Sequence, residues 1–288
     1  MTNNPNSCEA TFLCMREKWQ PCVELMPFFD YCSSQFHPKQ AFPSFGNYVF
    51  NPGRPLSICT LYTPEILSYA AESEKSLLSY CLCHNYTAYV YRSPLYPSIH
   101  PTWHKARILL NHLSQHQAMI WMDSDTLLLR QEEKVFEQIL AQPKPLHLSR
   151  DFSEGISAYN AGVILFKNAP FIFDLLKDWD NFTREKCPSN LWDHGSDQKV
   201  LCDLILERDP KGEFHQAHEM SVFNTDPRLM DKDTFLLHFM AYPSGYKIPW
   251  MRYWNAHNLD FREADFRDRI KPLSQRSTTV ERSRTGGS

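Results

Sequence analysis

The stretch "IWMDSDTLLL", residues 120 to 129, places two acidic residues between two apolar runs. Asp123 and Asp125 follow a short apolar run, residues 118 to 122, that is typical of a buried strand, and apolar residues resume directly after Thr126. A carboxylate that is buried without a partner costs several kcal/mol, so a positive group must compensate both side chains. The rest of the sequence should therefore supply both a sheet edge and this counter-charge.

Strand patterns and helix patterns alternate on both sides of this stretch. The predicted strands are residues 55–63, 87–92, 118–122, 145–151 and 160–168, and the predicted helices are residues 64–85, 101–116, 132–142, 169–183 and 195–208. Such alternation predicts an α/β fold with a mixed, mainly parallel sheet covered by helices on both faces. Ligands of such sheets bind beyond the carboxyl ends of the strands, where the two aspartates are expected.

The chain divides into three parts on this interpretation. Residues 1–50 carry Pro, Asn, Cys and aromatic residues without a sustained period, which predicts an irregular N-terminal extension. Residues 51–271 carry the alternating pattern and are predicted to form one domain. Residues 272–288 have almost nothing to bury and end in Gly-Gly-Ser, which predicts a disordered tail.

Composition limits the classes of partner. The 288 residues are 42% hydrophobic, enough for a full core, and the net charge of -3 gives no electrostatic reason to expect nucleic acid or an anionic membrane. The sequence shows no signal-peptide pattern and no apolar stretch long enough to span a bilayer, so a cytoplasmic location is predicted for the chain as written.

The cysteine content is also consistent with the predicted cytoplasmic location. Nine cysteines is an odd number, and no zinc-like repeat is present, which favours a reducing compartment. Four of them lie in the first 32 residues, and pairing, metal binding and ordinary reduced thiols remain open for this group: Cys8, Cys14, Cys22 and Cys32.

Three interpretations compete for Asp123 and Asp125. In the first, both side chains are ordinary caps of turns and helix ends, which is common for an Asp after a strand. A phosphatase of the haloacid-dehalogenase kind also uses two such carboxylates, but its Thr stands two residues after the second one, whereas Thr126 follows Asp125 directly. The third interpretation is a DxD site, in which two carboxylates share one hard cation with the diphosphate of a nucleotide-sugar.

Several distant segments decide between these interpretations together. They are "PTWHKARILL", "WMDSDTLLL", "NAGVILFKN", "GSDQKVLCDLI" and "LLHFMAYPSGYKIPW", in this order. This ordered set resembles the retaining glycosyltransferases of the GT-A fold. The resemblance is to the family of plant xyloglucan xylosyltransferases and yeast Golgi galactosyl- and mannosyltransferases, with the glycogenin-like family second. It spans about residues 56 to 255.

The resemblance implies a cation site and a donor site. Asp123, Asp125 and His238 would bind Mn²⁺ or Mg²⁺, and a UDP-sugar would be the donor. A glycan or a protein would be the acceptor. The donor-binding residues implied are Thr60, Tyr62, Lys105, Asp123, Ser124, Asn160, Gly162 and Lys247. In this reading Tyr62 stacks on the base, and Gly162 lets the backbone approach the donor sugar.

The resemblance also implies the chemistry of two further residues. Asp197 and Gln198 would lie near the anomeric carbon and stabilise an oxocarbenium-like transition state. The same segment also suits a helix start, with Ser196 or Asp197 as the cap, and both interpretations are compatible.

Two alternatives to a glycosyltransferase remain at this stage. They are the phosphatase and a non-catalytic carbohydrate-binding protein with the same fold. Golgi members of the resembling family carry an N-terminal membrane helix that this sequence lacks, so the Golgi lumen is the predicted location only if the chain is a truncated form.

Overall fold

The computed structural model describes residues 46–151 and 158–273. Its strands are β1 (Tyr48–Phe50), β2 (Leu56–Leu61), β3 (Thr87–Tyr91), β4 (Ala118–Met122), β5 (Thr126–Leu128), β6 (Leu146–Arg150), β7 (Tyr159–Lys167), β8 (His215–His218), β9 (Leu236–His238) and β10 (Ile270–Pro272). Its α-helices are α1 (Leu67–His84), α2 (Lys105–His112), α3 (Val135–Leu140), α4 (Pro170–Lys186), α5 (Asp197–Arg208), α6 (Met220–Phe223), α7 (Ser244–Asn258) and α8 (Ala264–Arg267).

The predicted end segments lie mostly outside the described residues. This holds for residues 1–45, which contain the four N-terminal cysteines, and for residues 274–288. Within the predicted irregular extension, Tyr48–Phe50 is a strand, so the regular structure begins earlier than the sequence pattern indicates. The last strand, Ile270–Pro272, lies at the predicted start of the tail.

Eight strands form one mixed sheet in the order β10-β1-β3-β2-β4-β7-β6-β8. β2 pairs in parallel with β3 and β4, and β6 pairs in parallel with β8. β4 and β6 both pair antiparallel with β7, and β1 pairs antiparallel with β3 and β10. The strand and helix alternation did not indicate the antiparallel course of β7. Strands β5 and β9 form a separate antiparallel pair.

Helices cover both faces of this sheet, as predicted. α1 and α7 pack together over one face, while α2, α4 and α5 pack in sequence over the other. Each layer encloses its own apolar core between helices and sheet. None of the helices in the described residues is long and apolar enough to cross a membrane.

Helix α4 illustrates how the sequence selects these layers. Its buried side chains recur at helical spacing, so one face of the helix meets the sheet. They are Ile172, Leu175, Leu176, Trp179, Asp180 and Thr183. Pro170 begins the helix, where its missing N–H has no intrahelical partner to lose, and Cys187 ends it in a left-handed conformation.

A buried charged cluster joins α1 to the sheet. The Glu74 carboxylate is 2% exposed and accepts hydrogen bonds from the hydroxyls of Tyr48 and Tyr62 and from the guanidinium of Arg92. Burial, and then the charge of Glu74, raises the pKa of both phenols, so their hydroxyls remain protonated donors. One carboxylate therefore connects β1 with the residues that directly follow β2 and β3.

Replacing this carboxylate should destabilise the protein. We expect Glu74→Ala to lower the free energy of unfolding by about 3–5 kcal/mol, because it leaves the guanidinium of Arg92 buried without its anion. Chemical denaturation measures this loss. The exposed Glu207→Ala on α5 is the control and should change the free energy by less than about 0.5 kcal/mol. Equal stability of the two variants would contradict the structural role of Glu74.

Candidate active site

The two aspartates lie in the turn between β4 and β5, at the carboxyl end of β4. The backbone N–H of Asp123 donates to the carbonyl of Gly162 at 2.7 Å, and the backbone N–H of Phe239 donates to the carbonyl of Asp125 at 2.9 Å. The hydroxyl of Thr126 donates to the carbonyl of Asp123 at 2.8 Å. The turn is thus fixed on both sides, and its carboxylates lie where the sequence predicts them.

The side chain of His238 completes a cluster with these carboxylates. β9 pairs with β5 so that His238 lies opposite Thr126. The Nε2 atom of His238 lies 3.2 Å from Oδ1 of Asp125. One ligand atom from each of Asp123, Asp125 and His238 lies within 4.8 Å of the others. The structure therefore brings the three predicted metal ligands together.

An amide network fixes the orientation of the imidazole. The Nδ2 group of Asn224 donates to the hydroxyl of Ser149 at 2.6 Å and to Oδ1 of Asn160 at 2.8 Å. These bonds turn Oδ1 of Asn224 toward His238, and it accepts a hydrogen bond from Nδ1 at 2.9 Å. Nδ1 of His238 therefore carries a proton, and Nε2 is the ring atom that faces the carboxylates.

Gly162 on β7 makes room for this imidazole. A Cβ atom at this position would lie 1.9 Å from Cε1 of His238, far below any real contact. The sequence interpretation assigned Gly162 to a close approach of the donor sugar. In the structure the group that approaches is the side chain of His238.

Each aspartate has its own lysine, and the two lysines come from opposite helical layers. From α2, Nζ of Lys105 lies 3.1 Å from Oδ1 of Asp123 and 3.0 Å from Oδ2 of Asp197, and donates to the carbonyl of Ala161 at 3.0 Å. From α7, Nζ of Lys247 donates to Oδ2 of Asp125 at 2.7 Å. Both lysines are buried, at 3% and 7% exposure.

Burial and these contacts together shift the pKa values of the two aspartates in opposite directions. Burial alone would raise the pKa of Asp125, but the charges and hydrogen bonds of His238 and Lys247 outweigh it and lower the pKa. Burial raises the pKa of Asp123, and Lys105 offsets this only in part. Burial opposes the charged form of Lys105, yet its two carboxylates raise its pKa above the usual value. Asp125 is consequently the more firmly ionised of the two aspartates.

Asp197 and Gln198 begin helix α5 beside this cluster. The hydroxyl of Ser196 caps the helix by accepting from the backbone N–H of Lys199 at 3.3 Å. Asp197 is 4% exposed and shares Lys105 with the first aspartate of the turn. The amide of Gln198 accepts from the backbone N–H of Ala161 at 2.9 Å and donates to the carboxylate of Asp151. Both residues that were predicted to act in the chemistry therefore lie close to the start of β7, beside the cluster.

The remaining residues predicted to bind the donor are all buried. Tyr62 is 2% exposed and its hydroxyl donates to Glu74, so its ring packs in the core and offers no free face to a nucleotide base. Thr60 is 3% exposed and shares the strand face of Tyr62. Ser124, between the two aspartates, is 8% exposed. Asn160 supports the site through Asn224 and accepts from the backbone N–H of Gly162 at 2.8 Å.

Two supporting residues were missed by the sequence analysis. The indole Nε1 of Trp121 donates to Oδ1 of Asp123 at 2.7 Å. Alternation along a strand could have indicated this contact, because residues two apart point to the same face. Asn224, which orients His238, follows a short helix without a motif, and no pattern in the sequence points to it.

The three candidate ligand side chains suit a divalent cation. Two carboxylates and one imidazole whose Nε2 faces them are ligands that a borderline cation such as Mn²⁺ accepts. Asp123, Asp125 and His238 would hold the ion, and the polar network behind His238 would keep its ring in place.

Comparisons with known proteins agree with this fold. No protein-family model matches the chain, and no curated protein matches it. Among solved structures, it is similar to a glycosyltransferase involved in the glycosylation of the major capsid of PBCV-1, with 18% identity, 69% of this chain and 98% of that chain covered, and a TM-score of 0.56. The predicted GT-A-like α/β fold is confirmed.

Two further solved structures have lower scores. A galactosyltransferase LgtC in complex with donor and acceptor sugar analogues is 12% identical, with a TM-score of 0.43 over 68% of this chain and 95% of that chain. Mouse xyloside xylosyltransferase 1 is 10% identical, with a TM-score of 0.42 over 65% of this chain and 98% of that chain. The fold assignment rests on the PBCV-1 protein.

Adding one methyl group at Gly162 should disturb the site. We expect Gly162→Ala to displace the ring of His238 and to lower the free energy of unfolding by about 1–3 kcal/mol, because its Cβ collides with a buried, hydrogen-bonded side chain. Thermal denaturation and the NMR shifts of the His238 ring check this. Gly245→Ala, whose Cβ meets nothing within 4 Å, is the control and should leave both unchanged or raise stability slightly.

Proposed function

We propose that this protein is a metal-dependent glycosyltransferase. It moves a sugar from a nucleotide-diphosphate donor, a UDP-sugar, to an acceptor hydroxyl with retention of the anomeric configuration. The observation that carries this proposal is the cluster of Asp123, Asp125 and His238 at the carboxyl end of β4. The likeness in fold to a glycosyltransferase supports it.

The reaction exchanges one bond at the anomeric carbon for another. The bond from this carbon to the diphosphate oxygen breaks, the bond to the acceptor oxygen forms, and the acceptor's proton ends on the departing diphosphate. A bound divalent cation neutralises charge on that leaving group. No separate strong base is required, because the leaving group itself takes the proton.

The two lysines change partners in this proposal. In the free protein, the ammonium groups of Lys105 and Lys247 neutralise the aspartates. A divalent cation bound to the carboxylates would repel both ammonium groups, and the diphosphate of the donor would attract them. Asp123 and Asp125 would then hold the ion, and the two lysines would contact the phosphates of the donor.

In this proposal Asp197 and Gln198 act near the anomeric carbon of the sugar. Asp197 is linked to Asp123 through the shared ammonium of Lys105, and Gln198 is held on the backbone of β7. A carboxylate here stabilises positive charge that develops at the anomeric carbon. The amide of Gln198 fixes the start of α5 relative to Ala161.

The phosphatase interpretation is less favoured by the contacts. A nucleophilic carboxylate must present a free oxygen to phosphorus. Asp125 instead has one oxygen beside His238 and the other bonded to Lys247. In Asp123, Oδ1 accepts from Trp121, and Lys105 lies within 3.4 Å of Oδ2. A non-catalytic carbohydrate-binding protein is distinguished by assay.

Removing one carboxylate charge tests the cation site. We expect Asp125→Asn to weaken Mn²⁺-dependent UDP binding at least about 100-fold in calorimetry, because the amide is a poor ligand for the ion. Asp260→Asn, a carboxylate with 85% side-chain exposure, is the control and should bind as the parent protein does. An unchanged affinity in a folded Asp125→Asn protein would eliminate this metal assignment.

A panel of nucleotide-sugars with Mn²⁺ tests the activity itself. Release of UDP is expected from at least one UDP-sugar. Cleavage of p-nitrophenyl phosphate without any UDP release would support the phosphatase, and binding of a UDP-sugar without turnover would support the carbohydrate-binding protein.

Removing the ammonium of Lys247 separates metal binding from donor binding. We expect Lys247→Met to bind Mn²⁺ alone roughly tenfold more tightly than the parent, because the ion no longer competes with an internal cation for Asp125. The same variant should bind UDP with Mn²⁺ roughly tenfold more weakly, because a phosphate contact is lost. Calorimetry measures both, with the exposed Lys211→Met as control. Effects of the same sign on both ligands would contradict the exchange of partners.

A further inference from the structure

Trp192 stands out from the other large apolar side chains of the described residues by its exposure. It is 70% exposed, whereas the remaining exposed large apolar side chains lie between 39% and 47%. Trp103, Trp121, Trp179 and Trp250 are each at most 2% exposed. A wide, rigid aromatic ring in solvent is a surface for a partner with an apolar face.

The course of the chain places this ring on the side of the sheet where β4 ends, which is the side of the candidate cation site. β7 starts on this side, where the carbonyl of Gly162 accepts from the backbone N–H of Asp123, and ends on the opposite side at Lys167. Helix α4 then runs back to the side of the cation site, and α5 starts there. The connection between them, residues 187–196, therefore lies on the same side of the molecule as the candidate cation site. Trp192 stands on this connection, which we call the α4–α5 loop.

Hydrogen bonds anchor the backbone around Trp192. The carboxylate of Asp193 accepts from the backbone N–H groups of Ser189 at 2.6 Å and Asn190 at 3.0 Å. The side-chain oxygen of Asn190 accepts from the backbone N–H of Trp192 at 3.0 Å. The indole of the buried Trp103 donates to the carbonyl of Asn190 at 3.1 Å. The exposed ring is thus carried by an ordered support.

The loop also keeps a costly backbone conformation next to the site. His194, Gly195 and Ser196 have φ angles of 55°, 84° and 97°, and ψ of Ser196 is 160°. That last combination is nearly confined to glycine, and such residues persist where the surroundings enforce them, often at functional sites. The next residue is Asp197, whose carboxylate meets Lys105. The strained segment therefore joins the exposed ring to the cluster.

We propose that Trp192 forms a subsite for a glycan acceptor, with a pyranose ring stacked on its indole face. A pyranose has an apolar C–H face and a polar rim, and Trp offers the matching apolar face with little loss of side-chain entropy. Ser189 is exposed beside it, and its hydroxyl oxygen, which donates to Asp193 at 3.3 Å, can accept a hydrogen bond from a sugar hydroxyl. Leu191, the other large apolar residue nearby, is half-buried, so the apolar surface is about one ring wide and fits a sugar better than a peptide. This inference rests on the proposed function.

Saturation-transfer NMR with five disaccharides tests the subsite. Cellobiose, lactose, maltose, xylobiose and α-1,3-mannobiose are each added to the protein in the presence of UDP and Mn²⁺. We expect at least one to receive saturation from the parent protein. The signal should fall about fivefold or more in Trp192→Ala and be partly restored in Trp192→Phe, because stacking needs an aromatic face. UDP affinity should stay unchanged in both variants.

Phe214→Ala provides the matched control. Phe214 is 42% exposed and precedes β8, whose first residue lies at the edge of the sheet opposite the site. Its removal should leave the disaccharide signal unchanged. Equal signals in Trp192→Ala and the parent, or no signal for any disaccharide, would overturn the subsite. If Mn²⁺-dependent UDP binding remains intact in that experiment, the proposed function still stands. Absence of UDP binding by the parent protein overturns the proposed function and the subsite's role with it.

Discussion

The rest of the site depends on neutralising two carboxylates at the edge of a buried strand. Asp123 and Asp125 belong to one turn, yet their ammonium partners come from α2 on one face of the sheet and α7 on the other. Because an unpaired buried charge costs several kcal/mol, each pairing favours the packing of its helical layer against the sheet. The same contacts that compensate the turn therefore also fix both layers relative to its carboxylates.

A second constraint acts on the imidazole between the strands. His238 reaches the carboxylates only because β7 carries a glycine opposite it, and its proton is located by Asn224, which is in turn held by Ser149 and Asn160. Every member of this network is satisfied by a neighbour from a different element. Such networks hold a side chain in one rotamer, which a cation site requires because its ligands must converge before the ion binds.

The sequence predicted the features that follow from local periodicity and from ordered motifs. The strand before Asp123 and the helix that carries Lys105 were both confirmed, and the structure brings His238 close to the two aspartates. Features that depend on long-range packing could not be predicted. The antiparallel course of β7 depends on how the chain returns across the sheet, and a strand pattern has no direction. Tyr62 reads as an exposed strand end, but Glu74, twelve residues later, draws it into the core.

Gly162 is a single residue whose contact depends on long-range packing and therefore could not be predicted from the sequence. A glycine after Asn160 indicates a close approach, but the sequence does not say whether a ligand or a side chain approaches. The ring of His238 comes from a strand 76 residues further along the chain, and only the pairing of β9 with β5 brings it there. The polar support from Asn224 depends on the same pairing, because the backbone N–H of His238 bonds to the carbonyl of the neighbouring Thr225 at 2.8 Å.

Lys105 connects the two halves of the proposed reaction. Its single ammonium group lies between Asp123, a proposed cation ligand, and Asp197, which begins the helix after the α4–α5 loop. In the free protein this ammonium lowers the negative potential at both carboxylates. In the proposed function, a diphosphate competes for the same ammonium, so the negative potential at Asp197 is less compensated when the donor is bound. On this proposal, the potential at the carboxylate is most negative when positive charge develops on the sugar, and its charge then lowers the energy of the transition state.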